Sequence, residues 1–437
     1  MEWWVSLSII FGLLVFFMAT GLPVAFCFLI VVLIGIPLWV GSVAAYGQLI
    51  LTLRESISRF TLIPIPLFIL MGDIMFRSGV APHMIRSIDK WLGRMPGRLS
   101  LLAIAGGTIF ATMSGSSIAA VALLGNVLLP EMTKQGYKKN MSLGSIMASG
   151  CLAPLIPPSG LAVVVAVVAE VSVGAVLIAI IVPGFFLASL YATYVIILSR
   201  LRPEMAPSYE VRDIPLSEKL LDTARYILPM VFILFMVTGV ILLGIASVTE
   251  AAASGALGVV ILAAAHRKLK WDMLKKSLIN TVELSVMILI IIAAASAFSG
   301  VLAYSGAGKG LIATATGLPL APIAIIVAML VVVIILGMFI NPASIILICI
   351  PIFIPLVNAL GFNPIWFCMI FLMCTEIGAV TPPFGVVLFA MKGTTPPDVT
   401  FNDCVQAVIP FLIIDLIALG ILTAFPIISL WLPGLMR

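Results

Sequence analysis

Charge is scarce in this sequence: Asp, Glu, Lys and Arg make up 9% of its 437 residues, and histidine occurs twice. So few charges exclude an ordinary water-soluble domain, whose surface is about a quarter charged. His83 and His266 both fall in basic loops, so no imidazole is available inside an apolar segment as a metal ligand or proton relay. Six cysteines (Cys27, Cys151, Cys349, Cys368, Cys374, Cys404) lie within apolar segments without CxxC spacing, and read as small buried hydrophobes rather than disulfide or metal partners. No GxxxxGK[ST] phosphate loop is present; Gly306-Ala307-Gly308-Lys309-Gly310 lacks its spacing and its Ser or Thr, so ATP is not expected to drive this chain. No basic arm or low-complexity tail occurs, which excludes nucleic acid as a partner. The start, Met1-Glu2-Trp3-Trp4, has neither a basic region nor a cleavage signal, and no removable signal peptide is expected.

Apolar residues are abundant: 62% of the chain is hydrophobic and the mean hydropathy is +1.28. Stretches of roughly 17–25 apolar residues, enough to cross about 30 Å of hydrocarbon, recur from Trp4 to Leu435 with short polar breaks. The chain reads as an all-α polytopic membrane protein, embedded in lipid over nearly its whole length.

Basic residues concentrate in four loops, Arg77 to Arg98, Lys134 to Lys139, Arg200 to Arg225 and His266 to Lys276, which the positive-inside tendency makes cytoplasmic. Both ends of Leu99–Pro130 then lie on one side, so that segment is expected as a re-entrant hairpin. Counting outward gives a periplasmic N-terminus, three crossings before Arg77, and crossings near 140–168 and 172–199. The second half gives crossings near 225–245, 249–265 and 279–303, a hairpin at 319–357, then crossings near 364–390 and 405–432. Five crossings in the first half invert the second. Arg54 and Arg59 fall where this topology is outside, and suggest an interfacial amphipathic helix.

The two halves share their punctuation. Ser78-Gly79 recurs 227 positions on as Ser305-Gly306, Ser117 as Ser344 at the same offset, and Pro183 as Pro410; Pro130, Gly136 and Pro157-Pro158-Ser159-Gly160 recur 225 positions on as Pro355, Gly361 and Pro382-Pro383-Phe384-Gly385. Two inverted-topology repeats follow: residues 1–212, with scaffold spans at about 1–76, a hairpin at 99–130 and a broken helix at 140–168; and residues 213–437, with scaffold spans at about 223–265, a hairpin at 319–357 and a broken helix at 364–390. Paired helix interruptions in inverted halves point to a secondary transporter whose substrate and ions bind where half-helices end. The interruptions are the tip Met113-Ser114-Gly115-Ser116-Ser117, the break from Gly150 to Pro157-Pro158-Ser159, the tip from Gly337 to Asn341-Pro342-Ala343-Ser344, and the break from Glu376 and Gly378 to Thr381-Pro382-Pro383. Proline and glycine free backbone carbonyls, which with Ser and Thr hydroxyls suit a hard cation such as Na⁺, while half-helix N-termini suit an anion. Any one of these residues alone would serve as an ordinary kink or packing residue; duplication at matched spacing favours the site. The lack of an intramembrane histidine favours sodium over proton coupling.

Intramembrane acids are few. Glu376, two residues before Gly378, is a functional candidate; Asp73, Asp415 and Glu283 are read as structural, and Glu250 as the partner of Ser247 in a helix capping box. An intramembrane enzyme would need a nucleophile with its base, and Ser114 and Ser117 have no histidine partner.

At these motifs the sequence resembles the large membrane subunit, the DctM type or M subunit, of TRAP (tripartite ATP-independent periplasmic) transporters. The residues that carry it are Ile65-Pro66-Leu67-Phe68-Ile69-Leu70-Met71-Gly72, Ser114-Gly115-Ser116-Ser117, Pro157-Pro158-Ser159 with Val168-Ala169-Glu170-Val171-Ser172, and Glu376-Ile377-Gly378 with Thr381-Pro382-Pro383. The resemblance implies a sodium-coupled importer of a small organic acid in the bacterial inner membrane. A periplasmic substrate-binding protein (P subunit) would deliver the acid, and a small membrane subunit of the DctQ type is expected as a separate chain, since nothing resembling it precedes Met1. It also implies an ion transporter superfamily fold with an elevator mechanism, and neither enzymatic activity nor an organic cofactor. Carried over residue by residue, a first sodium site would use Ser114, Ser116 and Gly150, and a second Gly337, Gly378 and Thr381. Substrate would bind between the tips and breaks, at Ser117, Pro157, Pro158, Ser159, Asn341, Ser344, Glu376, Pro382 and Pro383. Asn341 stands where that pattern leads us to expect an aspartate. Sialic acids, dicarboxylates and other sugar acids all fit, and no arginine within a span is expected to read the carboxylate. A stand-alone sodium-coupled carboxylate carrier of the same superfamily is the alternative, and a channel is disfavoured by the lack of a filter-like repeat.

Overall fold

The computed structural model describes residues 2–41, 44–114, 116–207 and 214–436, without the side chains of residues 44, 81 and 111–114. The boundary at 212/213 between the two repeats therefore lies outside the described residues, as does Gly115.

The described residues form helices joined by turns. In hydrocarbon, where backbone groups find no water, a helix is the way for an apolar run to satisfy them within itself. The chain opens with α1 (Trp3–Ala19) and α2 (Val24–Gly35), the latter ending in a π turn. Next come α3 (Ala44–Ile57) and α4 (Pro64–Arg77), parted at Ser58 and Arg59. Arg54 is on α3, whereas Arg59 is in the joint and pairs with Glu170 at 2.9 Å. Helix α5 (Ala81–Leu92) buries Met84 and Ile85 and exposes Arg86, as an interfacial helix should. A hairpin of α6 (Arg98–Ser114) and α7 (Ser117–Lys134) follows, then α8 (Lys139–Cys151) and α9 (Gly160–Val168). The α8 segment, extended to Leu155, bends by 44° into α9. The first half closes with α10 (Val173–Ala179) and α11 (Ile181–Leu201).

The second half begins with α12 (Leu216–Asp222), α13 (Leu228–Leu234) and α14 (Val240–Leu242), linked by π turns, and α15 (Val248–Ala265), whose N-terminus carries the Ser247–Glu250 capping box. Helix α16 (Trp271–Tyr304) runs unbroken for 34 residues. Its ends fall 227 positions beyond the start of α3 and the end of α4, so one continuous helix stands where the first half has two. After α17 (Ala307–Gly317) come α18 (Pro322–Gly337) and α19 (Pro342–Ala359), then α20 (Pro364–Val380), α21 (Val386–Thr394) and α22 (Phe401–Ala424).

Among the described residues, seven helices are long and apolar enough to cross a membrane, and the bent α8–α9 pair adds an eighth. Other crossings read from the sequence fall on shorter apolar helices: Trp3–Ala19, Val24–Val40 and Pro364–Val380. Large apolar side chains such as Phe232, Phe235, Ile261 and Val282 face outward, a surface that suits lipid. Inside, the halves interlock reciprocally. Helix α7 of the first packs on α21 of the second, and α19 of the second on α9 of the first. Helices α4 and α16 pack together along the flank of this core.

At the basic end, the Tyr226 ring is sandwiched between His83 (5.3 Å) and His266 (5.1 Å), tying α5 to the second half. Burial holds the His83 imidazole below its ordinary value of 6.5, reinforced by Arg86, Lys268, His266 and Arg225. Unfolded chains take up a proton there near 6.5 and folded ones only at lower pH, so the unfolded state binds more protons in that window. Stability from this group is thus complete above pH 6.5 and falls as pH drops toward the folded value. We expect the melting midpoint of the detergent-solubilised protein to fall between about pH 6.5 and 5, and His83→Phe, which keeps the stack without titrating, to reduce that fall. An unaltered acid profile in the variant would refute this.

Candidate functional site

Three of the four interruptions are built by a local side-chain cap. In the first hairpin Ser116 caps α7, its Oγ accepting the Ala119 N–H at 3.3 Å. In the second, Asn341 caps α19, its Oδ1 accepting the Ser344 N–H at 3.0 Å, with Pro342 preset as first helical residue. A neutral amide therefore fills the capping role that an aspartate would fill with a charge. In the first broken span Ser159 is fully buried and caps α9 through the Ala162 N–H at 3.3 Å; in the second, the chain leaves α20 at Thr381 and re-enters a helix at Val386. The Pro157-Pro158 and Pro382-Pro383 bonds, at matching positions, are both cis.

These interruptions bring four helix N-termini to one cavity of about 410 Å³. Its lining includes Ser116, Ser117 and Ala119 of α7, Pro158 and Gly160 before and in α9, Asn341, Pro342 and Ala343 of α19, and Val386 and Val387 of α21. Helix N-termini present unpaired N–H groups and a partial positive charge, so an anion is the natural guest.

Glu376 reaches the same cavity from α20 and is 1% exposed. Its Oε2 accepts the Ser117 hydroxyl at 2.5 Å, tying the first tip to the second break across 259 residues of sequence, while its buried Oε1 has no partner among the described residues. Behind these side chains the helices meet backbone to backbone. A Cβ on Gly378 would lie 2.6 Å from the Gly337 Cα and 2.8 Å from the Ile334 carbonyl oxygen, and one on Gly150 would lie 3.1 Å from the Ser117 carbonyl oxygen. Thr381 donates its hydroxyl to the Ile377 carbonyl.

Of the candidate residues, Ser116, Ser117, Pro158, Asn341 and Glu376 line the cavity. Gly150, Gly337 and Gly378 form the close helix contacts behind it, and Ser159, Ser344 and Thr381 make the caps and turns. Pro157, Pro382 and Pro383 lie in the breaks themselves. Ser114 ends α6, and its side chain, with Gly115, lies outside the described residues.

The remaining wall, from α4 and α16, bears out one expectation and corrects another. Asp73 does make an interhelical hydrogen bond, accepting from the Asn280 amide at 2.8 Å, but it also lines the cavity. Arg77, on the last turn of α4, lines it too, its Nε 2.5 Å from the Asp73 carboxylate. An arginine is therefore present where none was expected. The i,i+4 spacing of Asp73 and Arg77 was visible in sequence; Asn280, 207 positions away, was not. Asp415 is satisfied by the Tyr191 hydroxyl and lies elsewhere.

A second cavity, of about 310 Å³, approaches the same helices from the other end, with the Arg59–Glu170 pair in its lining. Helix α16 lines the first cavity up to Ile288 and the second from Ile292, and α9 lines the first up to Val164 and the second from Val167. About one helical turn separates them.

Buried helix breaks, four converging N-termini and cavities on either side of a thin septum define a multi-pass membrane transport protein. The comparisons with known proteins identify which kind. Residues 11–428 match the family model of the DctM component of the tripartite ATP-independent periplasmic transporter, and the chain belongs to that family. It is 33% identical over 390 residues to the C4-dicarboxylate TRAP transporter large permease protein DctM of Pseudomonas aeruginosa, covering 89% of each chain. Against the protein of the same name from Rhodobacter capsulatus identity is 32%, covering 99% of each. Among solved structures, the YdaH transporter of Alcanivorax borkumensis aligns with a TM-score of 0.63 at 15% identity, over 88% of this chain and 89% of that one, and attests the fold alone. The chain is thus a large permease component, not an enzyme, and in bacteria a protein of the inner membrane.

Proposed function

We propose that this permease imports a small organic acid together with sodium, moving a core of hairpins and broken helices elevator-fashion against a scaffold built from the first spans of each half. The convergence of four helix N-termini on one cavity carries the reading, because it offers an anion more positive dipole ends than a structural kink requires. Coupling to a cation is supported by charge. Asp73 and Glu376 outnumber Arg77 in the lining, so an acid entering alone meets net repulsion when both carboxyls are ionised. The unpartnered Glu376 Oε1 and the freed carbonyls of the breaks are hard oxygen ligands of the sort sodium takes. Sodium would bind near Ser116 and Gly150 in one half and near Gly337, Gly378 and Thr381 in the other. The two cavities, a helical turn apart along α9 and α16, are the geometry alternating access needs.

The word tripartite in the family's description implies two further components, which we take to be a small membrane subunit beside the scaffold and a periplasmic binding protein that delivers the acid. The test is uptake into proteoliposomes holding this chain and its small partner, with binding protein and candidate acids outside and an inward sodium gradient. Uptake that needs both sodium and the binding protein supports the proposal; uptake independent of the binding protein means a stand-alone carrier, and uptake independent of sodium removes the coupling. In the same assay Ser116→Ala and Thr381→Ala should each raise the sodium concentration for half-maximal uptake severalfold. Unchanged sodium dependence in both would remove those residues from the ion sites.

A further inference from the structure

Several carboxylates at the basic end of the molecule are held by cations: Lys90 pairs with Glu218 and Asp222 at 2.6 and 2.5 Å, Arg98 with Asp89 at 2.6 Å, and Lys276 with Asp272 at 2.8 Å. Around the Tyr226 stack the balance is different. Arg86 of α5, Arg225 of the π turn between α12 and α13, and Arg267 and Lys268 of the turn ending α15 are all exposed, and none has a carboxylate partner among the described residues. The rings of His83, Tyr226 and His266 hold these three segments together, and the Arg225 guanidinium sits 5.6 Å from the Tyr226 centroid. The charged groups that act on His83 there, Arg86, Lys268, His266 and Arg225, are all basic. Like charges gathered by packing repel one another unless an anion joins them. A cation at the end of α15 also suits the helix dipole, yet that accounts for Arg267 and Lys268 alone. Arg267 moreover takes a left-handed backbone (φ 56°), the conformation that glycine ordinarily fills after a helix, so the chain keeps a cation at this turn at a cost in strain.

Apolar surface continues from the cluster. Leu228 and Phe232 follow Arg225 on the same run of helix and are exposed. Trp91, whose indole N–H donates to the Thr223 hydroxyl at 2.8 Å, is exposed beside them, and indoles favour the level where lipid meets water. We propose that this cluster binds the phosphate of an anionic phospholipid of the cytoplasmic leaflet, with an acyl chain along Leu228 and Phe232. The phosphate supplies the missing counter-charge, and the apolar side chains supply a contact that a soluble anion would leave unused. Such a lipid bridges α5, which leads into the first hairpin, and α12 to α15 of the second half. The inference does not depend on which acid is carried or on sodium coupling.

The test is binding of phosphatidylglycerol with a fluorescent acyl chain to the purified complex of this chain and its small partner in neutral detergent. Unlabelled phosphatidylglycerol, phosphatidylcholine and inorganic phosphate are the competitors. We expect phosphatidylglycerol to compete at least about tenfold better than phosphatidylcholine, and inorganic phosphate not to compete. Arg86→Gln/Arg225→Gln/Lys268→Gln should weaken binding more than about tenfold. Lys134→Gln/Lys138→Gln/Arg200→Gln removes the same charge from exposed positions elsewhere at the basic end, and should leave binding within about twofold of the wild type. If the first triple variant does not fold, as its melting profile reports, Arg86→Gln and Arg225→Gln singly decide the matter, each expected to weaken binding by about fivefold. The inference is overturned if the two triple variants weaken binding equally, which means diffuse surface charge. It is overturned too if inorganic phosphate competes as well as the lipid, which means a site for free anions, or if the two phospholipids compete alike.

Discussion

Replacing Gly378 by alanine is expected to lower transport by more than tenfold while leaving the chain inserted in the membrane. The new methyl would sit 2.6 Å from the Gly337 Cα and 2.8 Å from the Ile334 carbonyl oxygen, both backbone atoms of α18 that cannot rotate aside. Helices α18 and α20 would have to part, and forcing extra volume into a packed interface costs roughly 1–3 kcal/mol. The displacement falls where it matters most, since α20 carries Glu376 to the cavity and α18 leads into the Asn341 tip. Gly337→Ala meets the same two helices from the other side and should act alike, and the double variant should lose less than the two separate losses combined, because parting the helices once relieves both clashes. Uptake by matched amounts of protein in proteoliposomes checks this. Activity of Gly378→Ala within twofold of the wild type would mean that the contact is looser than described and that the site does not depend on it.

Glu376→Gln is expected to raise the sodium concentration for half-maximal uptake about tenfold, with much less effect on how tightly the acid is bound once sodium saturates. The substitution keeps an oxygen to accept the Ser117 hydroxyl, so the link between the first tip and the second break survives, while the group able to ionise against a bound cation is removed. What is lost is the attraction of the unpartnered Oε1 for a cation in surroundings where solvent screens weakly. Ser117→Ala makes the contrasting variant. It preserves the carboxyl and leaves both of its oxygens without a hydrogen bond, at about 1–3 kcal/mol for a buried acceptor left unpaired, so it should lower stability more than sodium affinity. If Glu376→Gln lowers only the melting midpoint and leaves sodium dependence unchanged, the carboxylate is a structural tie between the halves.

Much of the architecture was legible in the residues because it is encoded locally. Length and hydropathy place the chain in a bilayer, where helices are the means of satisfying the backbone; the Ser-Gly and Pro-Pro punctuation marks the turns and breaks within a few residues of where they occur. Ser247–Glu250 could be read as a capping box because its partners are three positions apart. The Asn341 cap is local too, yet its neutral side chain looked like a departure until its backbone partner, the Ser344 N–H, was known.

What the sequence determined by itself, then, is the set of helices and interruptions, since each depends on backbone geometry within a turn or two of the residues that impose it. Only the tertiary structure decided which of those ends face one another. The link of Ser117 to Glu376 joins residues 259 positions apart and that of Asp73 to Asn280 joins residues 207 apart, separations at which no periodicity or cap signals a partner. Arg77 became a cavity residue for the same reason: its place at the end of a span marks it as an interfacial charge, and packing of α4 against α16 beside the hairpin tips brings its guanidinium to the site.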